Sequence, residues 1–237
     1  MCNTIESCQN YFCQIRRDII ASMNGVISDS MQEKGMNYRL NYGVDIPQLR
    51  KIARKYEPDP SLAEQLWVDD VRESKILATL LYPSTVFSKQ MAEKWVQEIP
   101  TQEIREQVCR NLFQNLSFAD ELVQEWSSQK ETNIRITGYW LLARLYIIGA
   151  TQITEINATP ILENAVNDLR TSSMLLRQAA LNVLRYFGRC SQENATDVLH
   201  RVVSFERSFN AIEREMYEML KFEFEVSGLN LPYPYTP

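Results

Sequence analysis

Leu176-Arg177-Gln178-Ala179-Ala180-Leu181-Asn182-Val183-Leu184-Arg185-Tyr186-Phe187-Gly188 is the stretch from which the fold can be read. Its apolar residues recur at three- and four-residue spacing, the mark of a helix with a buried stripe, and a glycine closes it. An apolar residue followed by arginine opens three further segments of this kind, Val71-Arg72, Ile104-Arg105 and Ile134-Arg135, at intervals of 33, 30 and 42 residues up to Leu176-Arg177. Each is preceded by a second apolar-periodic stretch, over 62–67, 86–97, 118–126 and 161–169. A two-helix unit returning at this period predicts stacked helical hairpins, an α-α superhelix (solenoid) in which every hairpin buries its faces on its neighbours. We therefore expect an all-α chain forming one cooperative domain over residues 1–230. Leu231-Pro-Tyr-Pro-Tyr-Thr-Pro237 is expected to be an extended tail.

The same period runs outward from these segments. Ile5, Cys8, Phe12, Ile15, Ile19 and Met23 form one stripe on an amphipathic helix of about five turns. Pro60-Ser61-Leu-Ala-Glu64 reads as a capping box, and Thr159-Pro160 as a cap followed by proline in the first helical position. The helix beginning near Asn133 is apolar nearly all round and should lie in the middle of the stack. No stretch alternates as a half-buried strand would. About a dozen helices are expected, with short connections at Pro47, Pro58, Pro60, Pro83, Pro100 and Pro160.

At 237 residues, 45% hydrophobic and 23% charged, the chain is long enough for a sizeable core and is not disordered. Five cysteines with no CxxC spacing, and a lone His200, argue for reduced thiols in a cytoplasmic protein and against a zinc site or a histidine-based triad. Charged residues interrupt the N-terminal apolar stretch, so neither a signal peptide nor a membrane span is expected.

A net charge of −5 argues against a protein held to nucleic acid by overall charge, but the charge is uneven. Residues 1–129 and 193–237 are each net −4, while 130–192 are net +3, and 17 arginines outnumber 8 lysines. Arginine's planar fork suits phosphate oxygens. In a superhelix Arg135, Arg177 and Arg185 would project from successive second helices lining the concave surface. The alternative for such arginines is to tie one hairpin to the next through carbonyls and carboxylates.

Asn41-Tyr-Gly-Val-Asp-Ile-Pro-Gln-Leu-Arg-Lys-Ile-Ala53, followed by Glu64-Gln-Leu-Trp-Val-Asp-Asp-Val-Arg-Glu-Ser-Lys-Ile-Leu-Ala78, resembles the opening segments of the AlkD-type DNA alkylation repair family. There the first reads as a Gly-x-x-x-Pro-x-x-Arg turn into a helix, and the second as a Leu-Trp helix with Arg-Glu opening the next. The segment at Leu176 is similar to the second helix of a HEAT repeat, and the resemblance covers roughly residues 10–205. It implies a HEAT-like superhelix with a basic groove for duplex DNA, and N-glycosylase removal of 3- and 7-alkylated purines without metal or organic cofactor. Such purines are already cationic and leave without general-acid help, so the enzyme needs chiefly a carboxylate beside the sugar.

The family places that carboxylate in a Trp-Trp-Asp run. The corresponding segment here is Ile104-Arg105-Glu106-Gln107-Val108-Cys109: both tryptophans are missing and Glu106 stands nearest the aspartate's place. Asn182 occupies the position of a third aromatic, and Asp120 is a weaker substitute for the carboxylate. The resemblance thus makes Glu106 the candidate catalytic residue and Arg72, Arg105, Arg135, Arg177 and Arg185 the candidate contacts to duplex DNA, alkylated or not, with excision weak or lost. The other reading is a HEAT-like interaction scaffold that binds a protein partner and no DNA; the acidic last helix and the missing aromatics favour it.

Overall fold

The computed structural model describes residues 5–36 and 38–228. They form fourteen α-helices, three short 3₁₀ turns and no strand beyond an isolated bridge between Leu40 and Val71. The chain divides into two compact units, Met1–Ser117 and Phe118–Pro237. The first holds α1 (Ile5–Ala21), α2 (Gly25–Glu33), α3 (Ile46–Ala53), α4 (Pro60–Val68), α5 (Arg72–Leu81), α6 (Lys89–Gln97) and α7 (Gln102–Asn111). The second holds α8 (Ala119–Trp126), α9 (Thr132–Ile148), α10 (Ala158–Asp168), α11 (Met174–Gly188), α12 (Gln192–Arg201), α13 (Val203–Glu206) and α14 (Ala211–Val226).

The four apolar-arginine segments fall at the starts of α5, α7, α9 and α11, each preceded by its expected partner, α4, α6, α8 or α10. Boundaries differ where local chemistry wins. Pro60 takes the first helical position of α4, so the cap must precede it; Asp59 fills that place, its side chain accepting the Leu62 N–H at 2.8 Å, and Ser61 does not cap. Helix α10 starts at Ala158, which puts Thr159 and Pro160 inside its first turn. Met23 lies beyond α1 and is exposed, because the chain turns there and Asn24 caps α2 through the Ile27 N–H. Residues 231–237, the expected tail, lie outside the described residues.

In the first unit Trp67 and Trp95 stack with ring centroids 3.9 Å apart and 3° between planes, and Tyr82 and Phe87 meet Trp95 edge-on. Around this core the two segments that carry the family resemblance grip each other. Glu73, fully buried, accepts the N–H groups of Tyr42 and Val44 at 3.1 and 3.2 Å, and Arg72 donates to the Val44 carbonyl at 2.8 Å. Between those two residues Gly43 has φ +69°, and a Cβ there would run into the backbone carbonyl of Asn24, so glycine is required twice over. In the second unit α9 and α11 pack together. At Gly188 the absence of a Cβ leaves room for the buried Phe224 ring of α14.

No helix among the described residues is long and apolar enough to cross a membrane. Cys13, Cys109 and Cys190 form no disulfide among the described residues.

Candidate nucleic-acid interface

The cations of the repeats fall into one register. The fourth residue of α5, α7, α9, α11 and α14 is Lys75, Arg105, Arg135, Arg177 or Arg214. Four of these reach back to a carbonyl of the preceding helix end or turn: Lys75 to Trp67 at 2.6 Å, Arg135 to Gln129 at 2.7 Å, Arg177 to Thr171 at 2.8 Å, and Arg214 to Ser208. The Trp67 carbonyl belongs to the last turn of α4, where carbonyls lack an intrahelical partner, and the other three lie in the turns just beyond α8, α10 and α13. This is the internal tie that competes with a phosphate-facing role.

Arg72 lies outside that register. It is 1% exposed, with Nε and one terminal nitrogen on Glu103 at 2.9 and 2.6 Å and the other on Glu73 at 2.9 Å. Burial alone would lower this guanidinium, but the two carboxylates raise it above its ordinary value. Arg72 is therefore an internal anchor. Arg105 is likewise enclosed: it is 3% exposed and donates to Gln102 at 2.6 Å. Burial holds its pKa below the usual arginine range.

In the second unit Arg135 is committed to Asp168, both oxygens at 2.9 and 3.0 Å, as well as to Gln129. Arg177 and Arg185 keep more of their capacity. Among the described residues Arg177 has one carbonyl partner and Arg185 a 3.6 Å ion pair with Glu223, its Nε enclosed without a hydrogen bond. Glu106, on α7, is half-buried and accepts from Gln102 at 3.0 Å; α7 contributes no aromatic residue. Asn182 is buried and accepts from Gln178. Three of the four tryptophans, Trp67, Trp95 and Trp126, are buried in the cores and cannot clasp an extruded base.

Sequence reasoning passed over Arg50, Lys51 and Arg54. With Lys55 they place four cations in six residues at the end of α3. Lys55 is paired with Asp18 at 3.0 Å, while Arg50, Lys51 and Arg54 have no ion pair among the described residues, and Lys51 and Arg54 are exposed. No group of three or more histidine, cysteine or acidic residues that could hold a metal occurs among the described residues.

A family profile described as DNA alkylation repair enzyme matches residues 8–211. The chain belongs to the DNA alkylation repair enzyme family. No curated protein matches it in sequence. One solved structure comes from a family of proteins related to the HEAT-like repeat DNA glycosylases with affinity for branched DNA structures. It aligns with a TM-score of 0.76 at 13% identity, over 95% of this chain and 98% of its own. A designed armadillo repeat protein gives a TM-score of 0.44 at 12% identity, over 93% of this chain and 94% of its own, too low a similarity to carry an argument. This member of the DNA alkylation repair family thus has the all-α, HEAT-like repeat fold that its hairpin period predicts. Within that fold the family's opening motifs serve as the mutual grip of Gly43, Arg72 and Glu73.

Proposed function

We propose that this protein is a DNA-binding member of the alkylation repair family that holds duplex DNA, branched duplex above all, through phosphate contacts and does not excise bases. The observation that carries this reading is the contrast between the buried Arg72 and Arg105 and the cations that remain available, Arg50, Lys51 and Arg54 in one unit and Arg177 and Arg185 in the other. Arginine and lysine with unspent donors at the surface are what a phosphate backbone recruits, and the bonds carry no base information. The branched substrate is favoured by the relative that shares the fold and has affinity for such structures.

Two titrations test this. Anisotropy with a linear duplex and a four-way junction should show binding that weakens steeply between about 50 and 200 mM salt, with the junction preferred. Replacing Lys51 and Arg54 together by alanine should lower the log–log salt slope by about two, one for each phosphate that is no longer neutralised. No binding even at the lower salt would sink the proposal.

Loss of excision follows from Glu106 having no aromatic partner on its own helix and from Trp67, Trp95 and Trp126 being spent in the cores. A carboxylate can stabilise a cationic sugar only where the base is held out of the stack. Incubation with methylated duplex should release no 7-methylguanine, and Glu106→Gln should not change that blank. Release that disappears in Glu106→Gln would restore Glu106 as the catalytic carboxylate.

A further inference from the structure

Helix α14 is apolar on two sides. Met216, Tyr217, Leu220 and Phe224 are buried against the second unit. On the outer side Ile212 is 45% exposed, Met219 40%, Phe222 67% and Val226 69%. With Glu215 these residues follow each other at spacings of three, four, three and four, the a/d seam of a coiled coil lacking its second helix. Exposed apolar residues scattered singly mean little, but four large ones on one seam are a contact surface.

The charge around the seam says what covers it. Glu213 pairs with Arg170 at 2.8 Å, and Glu223 pairs with Arg189 at 3.2 Å and Arg185 at 3.6 Å, all within the unit. Glu215, in the seam, and Glu218 and Glu225, along its edge, are exposed and have no ion pair among the described residues. A second copy of this face would set glutamates against glutamates, and nucleic acid is repelled by the same charges.

We infer that the outer face of α14 docks an amphipathic helix of a protein partner, about 15 residues long, whose apolar stripe is flanked by lysine or arginine. The length follows from the seam, which at 1.5 Å per residue runs about 21 Å from Ile212 to Val226. Anchors at a and d would fill it while basic flanks meet Glu218 and Glu225. This inference does not depend on DNA binding.

The test uses the full chain with two synthetic three-heptad peptides, identical in their leucine seam, one with lysine flanks and the other with glutamate flanks. The lysine peptide should bind in anisotropy titrations and the glutamate peptide should not. Phe222→Glu should weaken binding at least about tenfold. Its melting temperature should stay that of the parent, since the side chain is mostly exposed. Equal binding of both peptides, binding of neither, or indifference to Phe222→Glu would overturn the proposal. Sedimentation as a dimer that Phe222→Glu dissociates would also overturn it, by making a second copy the occupant.

Discussion

Arg72→Met is expected to destabilise the protein by about 3–5 kcal/mol, the cost of leaving buried carboxylates without their counter-charge. Arg72 is the hub of a network that joins three parts of the first unit. Its guanidinium holds Glu103 of α7 in a two-pronged contact, bonds Glu73 beside it, and donates to Val44 in the loop before α3. Tyr38 adds its hydroxyl to Glu103 at 2.6 Å. Denaturant unfolding of the variant measures the loss, and a change below about 1 kcal/mol would place the contact among weak surface pairs instead. Combining it with Glu103→Gln should recover part of the loss, because one of the stranded charges is then gone while an acceptor for the Tyr38 hydroxyl remains.

The acid side of the stability curve carries the same signature. Burial alone would raise the Glu103 carboxyl, yet the hydrogen bonds from Arg72 and Tyr38 and the charge of Arg72 hold it below its ordinary value of 4.5. A carboxylate with a lowered folded pKa contributes stability that is present above its unfolded pKa and lost as the pH falls through its folded pKa. In Arg72→Met the part of that hold on Glu103 that comes from Arg72 is gone. The stability gap between parent and variant should therefore be full near neutral pH and narrow as the pH falls below 4.5.

The hairpins were legible because burial imposes a period on the sequence, and the paired stretches before α5, α7, α9 and α11 all show it. The role of each arginine was not. Val71-Arg72 matches Ile104-Arg105 as a dipeptide, but Arg72 is the first residue of its helix and Arg105 the fourth. Residues three apart share a helix face, so Lys75, one turn on, fills the repeat position, and Arg72 is left to point into the core. Net charge over 129 residues likewise averaged away the cations of α3, which a window of one helical turn reveals. The α14 seam was hidden for another reason. A helix apolar on two sides reads in sequence as a helix well buried, and only the exposure of Phe222 and Val226 separates the cases.

Asp168→Ala is the other substitution with a large expected effect, about 2–4 kcal/mol, and it separates structural from phosphate-facing arginines in the second unit. Asp168 ends α10, where a carboxylate sits against the negative end of the helix dipole. What makes the position favourable lies one helix away: Arg135 approaches both its oxygens, and Tyr139, one turn further along α9, donates at 2.7 Å from a fully buried ring. Burial and the neighbouring carboxylate push the Tyr139 phenol well above its usual range, so it stays a donor at every working pH. Removing the carboxylate strands that hydroxyl, whereas Arg135, half-buried, can recover water. Asp168→Asn keeps an acceptor for Tyr139 and should cost less. The arginine itself then gives the functional half of the test. Arg135→Ala should lower stability while leaving the salt slope of DNA binding unchanged, because its charge is already neutralised by Asp168. Arg177→Ala should do the reverse, lowering the slope by about one with little change in unfolding. A slope lowered equally by both would mean that Arg135 leaves Asp168 to meet the phosphate.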